Sequence, residues 1–285
     1  MLKKPILVII YILYVVQAKS QDSLRTSLLW EISGNGLTSS SYLFGTIHTR
    51  CGEDYKMPKV AIEKLKLCNS LFEEVDINDP LYYNKYIENM HWDKKLDSLL
   101  GDSVFKAASK IFLEITKQPL SKFNQIHPFL TNQFYNQKSL ICNKKTKNLE
   151  QELIQIANKN RIDIDGLESA EKHLKVVQQM PDMQQLYYLL QNIFQKDSMN
   201  FYYKKVVDEF KKNDFVKTVF EKNIQYTKED SVLIINRNLS WLSTICWRIK
   251  LESTFFAVGA SHLGFENGLI ALLRKKGYTL KPIRL

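Results

Sequence analysis

Hydrophobic positions in this chain follow two rhythms. Near both ends they form short dense runs bounded by turn residues, and through the middle they recur every three or four positions over long stretches. Leu28 to Ser33 reads as a strand, Gly34-Asn35-Gly36 as a turn and Ser40 to Ile47 as a second strand, a hairpin by its turn chemistry. Pro58 opens a helix that runs to about Cys68, with Val60, Ile62 and Leu65 at partly helical spacing. Ser70 to Val75 is a short strand ending in acids. From about Pro80 to Lys159 the spacing is helical, punctuated at Gly101-Asp102, Pro119 and Pro128. Arg161 to Leu167 alternates as a buried strand. The spacing is helical again from Glu168 to Lys250, broken near Pro181 and Asn213-Asp214. A strand Thr254–Gly259 follows, then a helix from about Glu266 to Lys276 with Gly277 as its C-cap, and a last strand Tyr278–Ile283.

Strands therefore cluster at the two ends, and a helical block over about residues 80–250 fills the middle. The terminal pieces must meet to cover their apolar faces. The expected fold is α/β: a mixed sheet formed by N- and C-terminal strands, with flanking helices and a large central helical insertion. No repeat period of the solenoid kind is present.

The first residues stand apart. Lys3 and Lys4 precede an apolar run from Pro5 to Val16, followed by Gln17-Ala18. This order of positive, apolar and small residues reads as an export signal over residues 1–18, with cleavage after Ser20 as a second option. The run is short for a membrane span, and no other segment is long and apolar enough to cross a bilayer. The expected mature domain is 19–285, exported to the periplasm, the cell surface or the medium. Its 45% apolar and 12% aromatic residues are enough for a true core. The formal charge of +10 falls to +8 without Lys3 and Lys4. The remaining lysines are spread in pairs along helical stretches, with no Arg-rich stripe and no nucleic-acid-binding motif, so nucleic acid is not an expected partner.

Four cysteines, Cys51, Cys68, Cys142 and Cys246, allow three full pairings. Cys51 with Cys68 is sterically possible. None are spaced as C-x-x-C, which argues against a zinc ribbon. Cys246 reads as a buried apolar residue.

Two of the apolar runs share one design. Ser41 to His48 and Thr254 to His262 each pass through a Gly and present an imidazole just beyond the strand end. In open α/β sheets that edge is where ligands bind. A neutral imidazole is a common metal ligand and acid–base group.

These segments carry a family resemblance. Tyr42-Leu43-Phe44-Gly45-Thr46-Ile47-His48 resembles the opening motif of the TraB/GumN family, and Phe72-Glu73-Glu74-Val75-Asp76 its next motif. Ile164-Asp165-Gly166-Leu167-Glu168-Ser169 resembles its Gly-Leu-Glu-Thr segment. Ala257-Val258-Gly259-Ala260-Ser261-His262-Leu263, followed by Asn267-Gly268-Leu269, resembles its closing motif. The order and spacing fit along nearly the whole mature chain. The Tiki proteases share both Gly-x-x-His motifs, and ChaN-like and erythromycin-esterase-like proteins are wider relatives. The resemblance implies the α/β fold, and through the Tiki branch metal-dependent peptide hydrolysis with manganese or cobalt, zinc being a further option. By motif position it implies His48, Glu74 and His262 as metal ligands, with Glu168 and Arg237 as catalytic residues. Arg237-Asn238 matches a helical Arg-Asn motif. Where the family often has Gly-x-Asp, this chain has Asn148-Leu149-Glu150, which moves the carboxylate by a methylene.

Chemistry gives these residues work. Two imidazoles and a carboxylate at strand ends can hold one divalent ion and leave a place for water. Glu168 could accept that water's proton, and Arg237 could grip a substrate carboxylate or an oxyanion. The plainer alternatives are structural histidines, a charged strand end, a helix N-terminal carboxylate and an interhelical salt bridge. His91, His127 and His173 read as structural or surface residues, and the aromatic stripe from Tyr187 to Tyr203 as core or groove wall. The expected function is an exported metal-dependent hydrolase acting on peptide or protein substrates. The alternative is a non-catalytic ligand-binding or envelope-polysaccharide-associated protein on the same fold.

Overall fold

The computed structural model describes residues 27–48, 50–52, 54, 56–77, 81–142, 146–195, 203–208 and 231–285. The expected export signal and the break at Asn213-Asp214 lie outside the described residues.

Six strands make the main sheet: β1 (Leu29–Ser33), β2 (Ser41–Thr46), β4 (Ser70–Val75), β6 (Asp163–Glu168), β7 (Thr254–Gly259) and β8 (Thr279–Ile283), in the order β6-β4-β7-β2-β1-β8. The first four in that order run parallel, while β1 is antiparallel to both β2 and β8. The chain leaves β2, crosses through helix α1 (Lys59–Lys66) and skips one place before laying down β4. More than 170 residues later, β7 fills the gap. The expected union of the two chain ends in one mixed sheet is what the structure shows. Its consequence is that β4, β7 and β2 end side by side at one edge, neighbouring strands being about 4.8 Å apart.

Register sorts the side chains into two faces. Tyr42, Phe255 and Leu71 lie in one row, Leu43, Phe256 and Phe72 in the next. Aromatic pairs follow this register, Phe44 with Phe255 at 6.1 Å on one face and Phe72 with Phe256 at 5.8 Å on the other. Helix α1 covers the first face, with Lys64 over the Tyr42 ring. Helix α5 (Leu149–Asn160) joins it there, burying Leu149, Leu153 and Ala157 in the same core. Helix α8 (Asn236–Leu251) covers the second face, with Arg248 over Phe72. Helix α9 (Leu269–Lys275) leads into β8.

The central region is helical as expected. Helices α2 (Tyr82–Met90), α3 (Leu96–Thr116), α4 (Pro128–Ser139), α6 (Ala170–Gln178) and α7 (Asp182–Phe194) lie among its described residues. It has its own core, built on Trp92, Leu96, Phe112, Leu120, Tyr135, Leu186, Leu189 and Ile193. Gly101 interrupts α3 with φ 71°, as its place in the sequence suggested.

Some local readings change. β6 begins at Asp163, because Arg161 takes a left-handed turn that ends α5. It is the edge strand, so its first residues face solvent and only Leu167 and Glu168 are buried. The helix expected from Glu266 starts at Leu269, since Phe265 is left-handed (φ 65°). Tyr187 and Phe194 of the aromatic stripe are exposed, and Leu186, Leu189 and Ile193 make the contacts instead. A two-stranded ribbon, β3 (Arg50–Cys51) with β5 (Thr146–Lys147), was not expected from the pattern. Cys51 of this ribbon is bonded to Cys142, which lies before β5, while Cys68 is a free buried thiol. The geometrically open pairing of Cys51 with Cys68 is therefore not the one formed. Cys68 lies against Ser253, one residue before β7.

Candidate functional site at the carboxyl edge of the sheet

All four parallel strands deliver a polar group to the same edge. β2 leads to His48, β4 carries Glu74, β6 ends in Glu168 and β7 leads to His262. α8 adds Arg237 and Asn238 from above, and α5 adds Glu150. The imidazoles from the two ends of the chain meet here: His48 Nε2 and His262 Nε2 are each 3.7 Å from Glu74 Oε1.

The two glycines of the matching runs serve different purposes. A Cβ on Gly45 would stand 2.7 Å from Leu263 Cδ1 and 3.1 Å from Ala260 Cα, so its absence lets β2 press against the turn that carries His262. A Cβ on Gly259 would meet Glu74 Oε1 at 3.2 Å, His48 Nε2 at 3.4 Å and His262 Cδ2 at 3.7 Å. Its absence leaves a hollow where the three side chains converge. Gly259 N–H donates to Glu74 Oε1 at 2.7 Å and fixes the carboxylate over the strand end.

Each imidazole is oriented through its far nitrogen. His262 Nδ1 lies 2.7 Å from Asn238 Oδ1, and Asn238 Nδ2 donates to the carbonyls of His262 and Asn267. The amide oxygen must therefore accept the Nδ1 proton, which leaves the Nε2 lone pair turned toward Glu74. His48 Nδ1 is 2.8 Å from Glu150 Oε1, which also accepts from Thr46 Oγ1. Burial drives His262 down to about 4, against the pull of Glu74, so it is neutral at neutral pH. Desolvation in the cleft also acts to lower His48, but the Glu150 carboxylate outweighs it and raises the imidazole to about 9.

Arg237 is the keystone of the second face. Its Nη2 donates to Glu74 Oε2 (2.5 Å) and Glu168 Oε1 (2.7 Å), its Nε to Glu168 Oε1 (2.9 Å) and its Nη1 to the Leu233 carbonyl (3.2 Å). The guanidinium stacks 4.5 Å over the Trp241 ring, and Trp241 Nε1 donates to Glu168 Oε2. His173 Nδ1 completes the group, 2.9 Å from Glu168 Oε1. Burial would raise both carboxyls. For Glu74 it is overcome by His262, Arg237, His48 and the Gly259 N–H, and for Glu168 by His173 and Arg237, so both are held below the ordinary value.

Glu73, the neighbour of Glu74 on β4, faces the other way. It is 2% exposed, and burial followed by the charges of Glu150 and Asp76 pushes its carboxyl to about 9.

The residues singled out in the sequence thus share one place: His48, Glu74, Glu168, Arg237 and His262 form a single connected cluster. Sequence reasoning missed His173, which reads there as a structural or surface residue although it lies five residues past Glu168, one helical turn into α6. It also missed Trp241, four residues after Arg237 and so on the same face of α8.

The donor chemistry fits a divalent ion. Glu74 Oε1, His48 Nε2 and His262 Cδ2 border the hollow beside Gly259, both Nε2 atoms lie 3.7 Å from Glu74 Oε1, and both Nδ1 atoms are held by acceptors, as metal-bound histidines require. The spacing is wider than a closed shell. Neighbouring donors in a shell with bonds of about 2.1 Å lie roughly 3.0–3.4 Å apart. Accordingly, among the described residues no group of three or more His, Cys, Asp or Glu side chains is already gathered around one point. Each Nε2 stands a few tenths of an ångström further from Glu74 Oε1 than such a shell would place it.

The fold and this edge define an α/β protein with a polar cluster at the ends of four parallel strands. The chain belongs to the TraB/PrgY/GumN family, whose model matches residues 28–282. No curated protein and no solved structure matches it. Among the described residues, no helix is long and apolar enough to cross a membrane.

Proposed function

We propose that this protein is an exported, metal-dependent hydrolase that acts on peptide or protein substrates. The observation that carries the reading is the convergence of His48 Nε2 and His262 Nε2 on Glu74 Oε1, each at 3.7 Å, across the hollow left by Gly259. His48, His262 and Glu74 would hold the ion, with manganese or cobalt favoured and zinc a further option. When bound, such an ion lowers the pKa of a water molecule and polarises a carbonyl.

The chain's own residues do the rest. Asn238 fixes the tautomer of His262, and Glu150 accepts from His48 Nδ1, so both Nε2 atoms lie toward Glu74; His48 would give up its Nε2 proton to bind the ion. Arg237 keeps Glu74 ionised and turned toward the hollow. Glu168 already accepts from Arg237, His173 and Trp241, and acts as the support that holds Arg237 rather than as a free base. His173 is the solvent-side member of that group, with a side chain 32% exposed against 0% for Glu168, and offers the route by which a proton leaves. His48, with a side chain 59% exposed, marks the side open to substrate. The Cys51–Cys142 bond supports export, since such bonds persist in oxidising compartments.

One observation favours the non-catalytic alternative. Arg237 Nη1 stands 3.3 Å from His262 Nε2, where it competes with an ion for that lone pair. Metal analysis of the purified mature protein, beside His48→Ala/His262→Ala, separates the two. The hydrolase reading expects one more bound metal ion in the wild type than in the variant, and peptide cleavage that a chelator removes and Mn2+ or Co2+ restores. Equal metal content in both proteins, or stoichiometric ligand binding without turnover, refutes it.

A further inference from the structure

The sheet edge carries two pairs of buried glutamates back to back, and only one pair shares a guanidinium. On the α8 side, Glu74 and Glu168 share the Arg237 guanidinium. On the α5 side stand Glu73 and Glu150, 2% and 8% exposed. They belong to one face. Glu73 lies in register with Ala257 of β7 and, one strand further, Phe44 of β2. Thr46, two residues beyond Phe44 and so on the same face, donates to Glu150 Oε1. The strand between them offers only Ala257 and Gly259 there, so little side chain separates the two carboxyls.

Among the described residues, neither Glu73 nor Glu150 pairs with a lysine or arginine. Glu150 Oε1 is taken by Thr46 and His48, but its Oε2 is buried with no hydrogen-bond partner, and so is Glu73 Oε1. A buried polar oxygen without a hydrogen-bond partner is costly unless an ion takes it up. Two orphaned oxygens on one face, backed by small residues, are what an oxygen-coordinated ion leaves exposed to itself.

We propose that Glu73 Oε1 and Glu150 Oε2 bind a second, hard divalent cation on the α5 side of His48. The donors are oxygens, which selects Mg2+, Mn2+ or Ca2+ over softer metals. Two carboxylates with water in the remaining positions suffice for such an ion. The proposal is independent of the ion assigned to His48, Glu74 and His262: here a ring nitrogen is not a ligand, and Glu150 holds His48 through its other oxygen. An occupied site would neutralise the charge behind His48 and tie α5 to β4.

The test uses the mature protein stripped with a chelator, then titrated with Mg2+ and with Mn2+. Bound metal is counted by elemental analysis, and thermal unfolding is followed in parallel. In the wild type, Mg2+ is expected to bind once and to raise Tm, and Mn2+ to bind twice. Glu73→Gln is expected to weaken Mg2+ binding by at least about tenfold and to remove the Tm rise. In the stripped state it should unfold no more easily than the wild type, because the amide has the size and shape of the carboxyl it replaces. His262→Gln is expected to keep the Mg2+ site and to lose one Mn2+. Should Glu73→Gln fail to fold, Glu150→Gln supplies the same comparison. Wild type that binds no Mg2+, or Glu73→Gln or Glu150→Gln binding it as the wild type does, overturns the second site. If only His262→Gln leaves Mn2+ unchanged, the hydrolase ion fails and this site stands.

Discussion

Replacing Arg237 with methionine tests the keystone of the cluster. The guanidinium is 8% exposed and lies between Glu74 at 9% and Glu168 at 0%. Methionine keeps much of the packing over Trp241 but leaves two buried carboxylates facing each other without a counter-charge. Breaking a buried ion pair by removing one partner costs about 3–5 kcal/mol. The lost stacking on Trp241 adds roughly 0.5–2 kcal/mol. The size of the loss depends on pH with a definite sign. In the wild type, Glu74 and Glu168 are held below their ordinary value of 4.5, so their contribution is present above that pH and fades as pH falls through the lowered values. In the variant, both carboxyls rise above 4.5, and the unfavourable charge disappears as they protonate. The difference in urea midpoint between wild type and Arg237→Met is therefore expected to be large at pH 7 and to shrink toward pH 4. Adding Glu74→Gln and Glu168→Gln to the variant should restore much of the loss. A loss below about 1 kcal/mol at pH 7, on the scale of an exposed pair, would refute the keystone role, as would a loss of equal size at both pH values.

Four further outcomes are expected. Reducing the Cys51–Cys142 bond, which closes a span of 91 residues, should lower stability by up to about 4–5 kcal/mol in the chain-entropy model, read as a drop in urea midpoint with reductant. Gly259→Ala should weaken metal binding by at least about tenfold with little change in Tm, because its backbone (φ −52°) suits alanine while the new methyl fills the hollow. Asn238→Ala should lower metal affinity roughly 10–100-fold by freeing the His262 tautomer, as measured by competition with a chelating dye. In chelator-treated protein, stability should decline as pH rises from 4.5 to 9, because the fold keeps a proton on Glu73 that the unfolded chain gives up. Glu73→Gln should flatten that slope, and an unchanged slope would place the titration elsewhere.

The sheet was legible because its strands are short, dense and bounded by turn residues, and because unpaired apolar ends must meet. The meeting of His48 with His262 followed from the same reasoning, since both leave parallel strands at their carboxyl ends. What stayed hidden was local or partner-dependent. The β3–β5 ribbon has too few residues to show a period. β6 has the alternation of a half-buried strand, and only the sheet order says which half. The partnership of Glu168 with His173 and Trp241 depends on how α6 and α8 lean on the strand ends, and side-chain spacing along one helix does not report a contact with another. Glu73 looked like a spare acid beside Glu74, yet the strand's two-residue period sends them to opposite faces, where one finds an arginine and the other does not.

The late arrival of β7 has a bearing on when the polar cluster can form. Translation produces β2 and β4 early, with an empty lane between them. A nascent chain that stops short of residue 254 has neither the strand that fills that lane nor the histidine that follows it. Closing a loop of such length comes late in assembly. The polar cluster thus stays incomplete while the chain is being made, and it assembles only when the tail threads home.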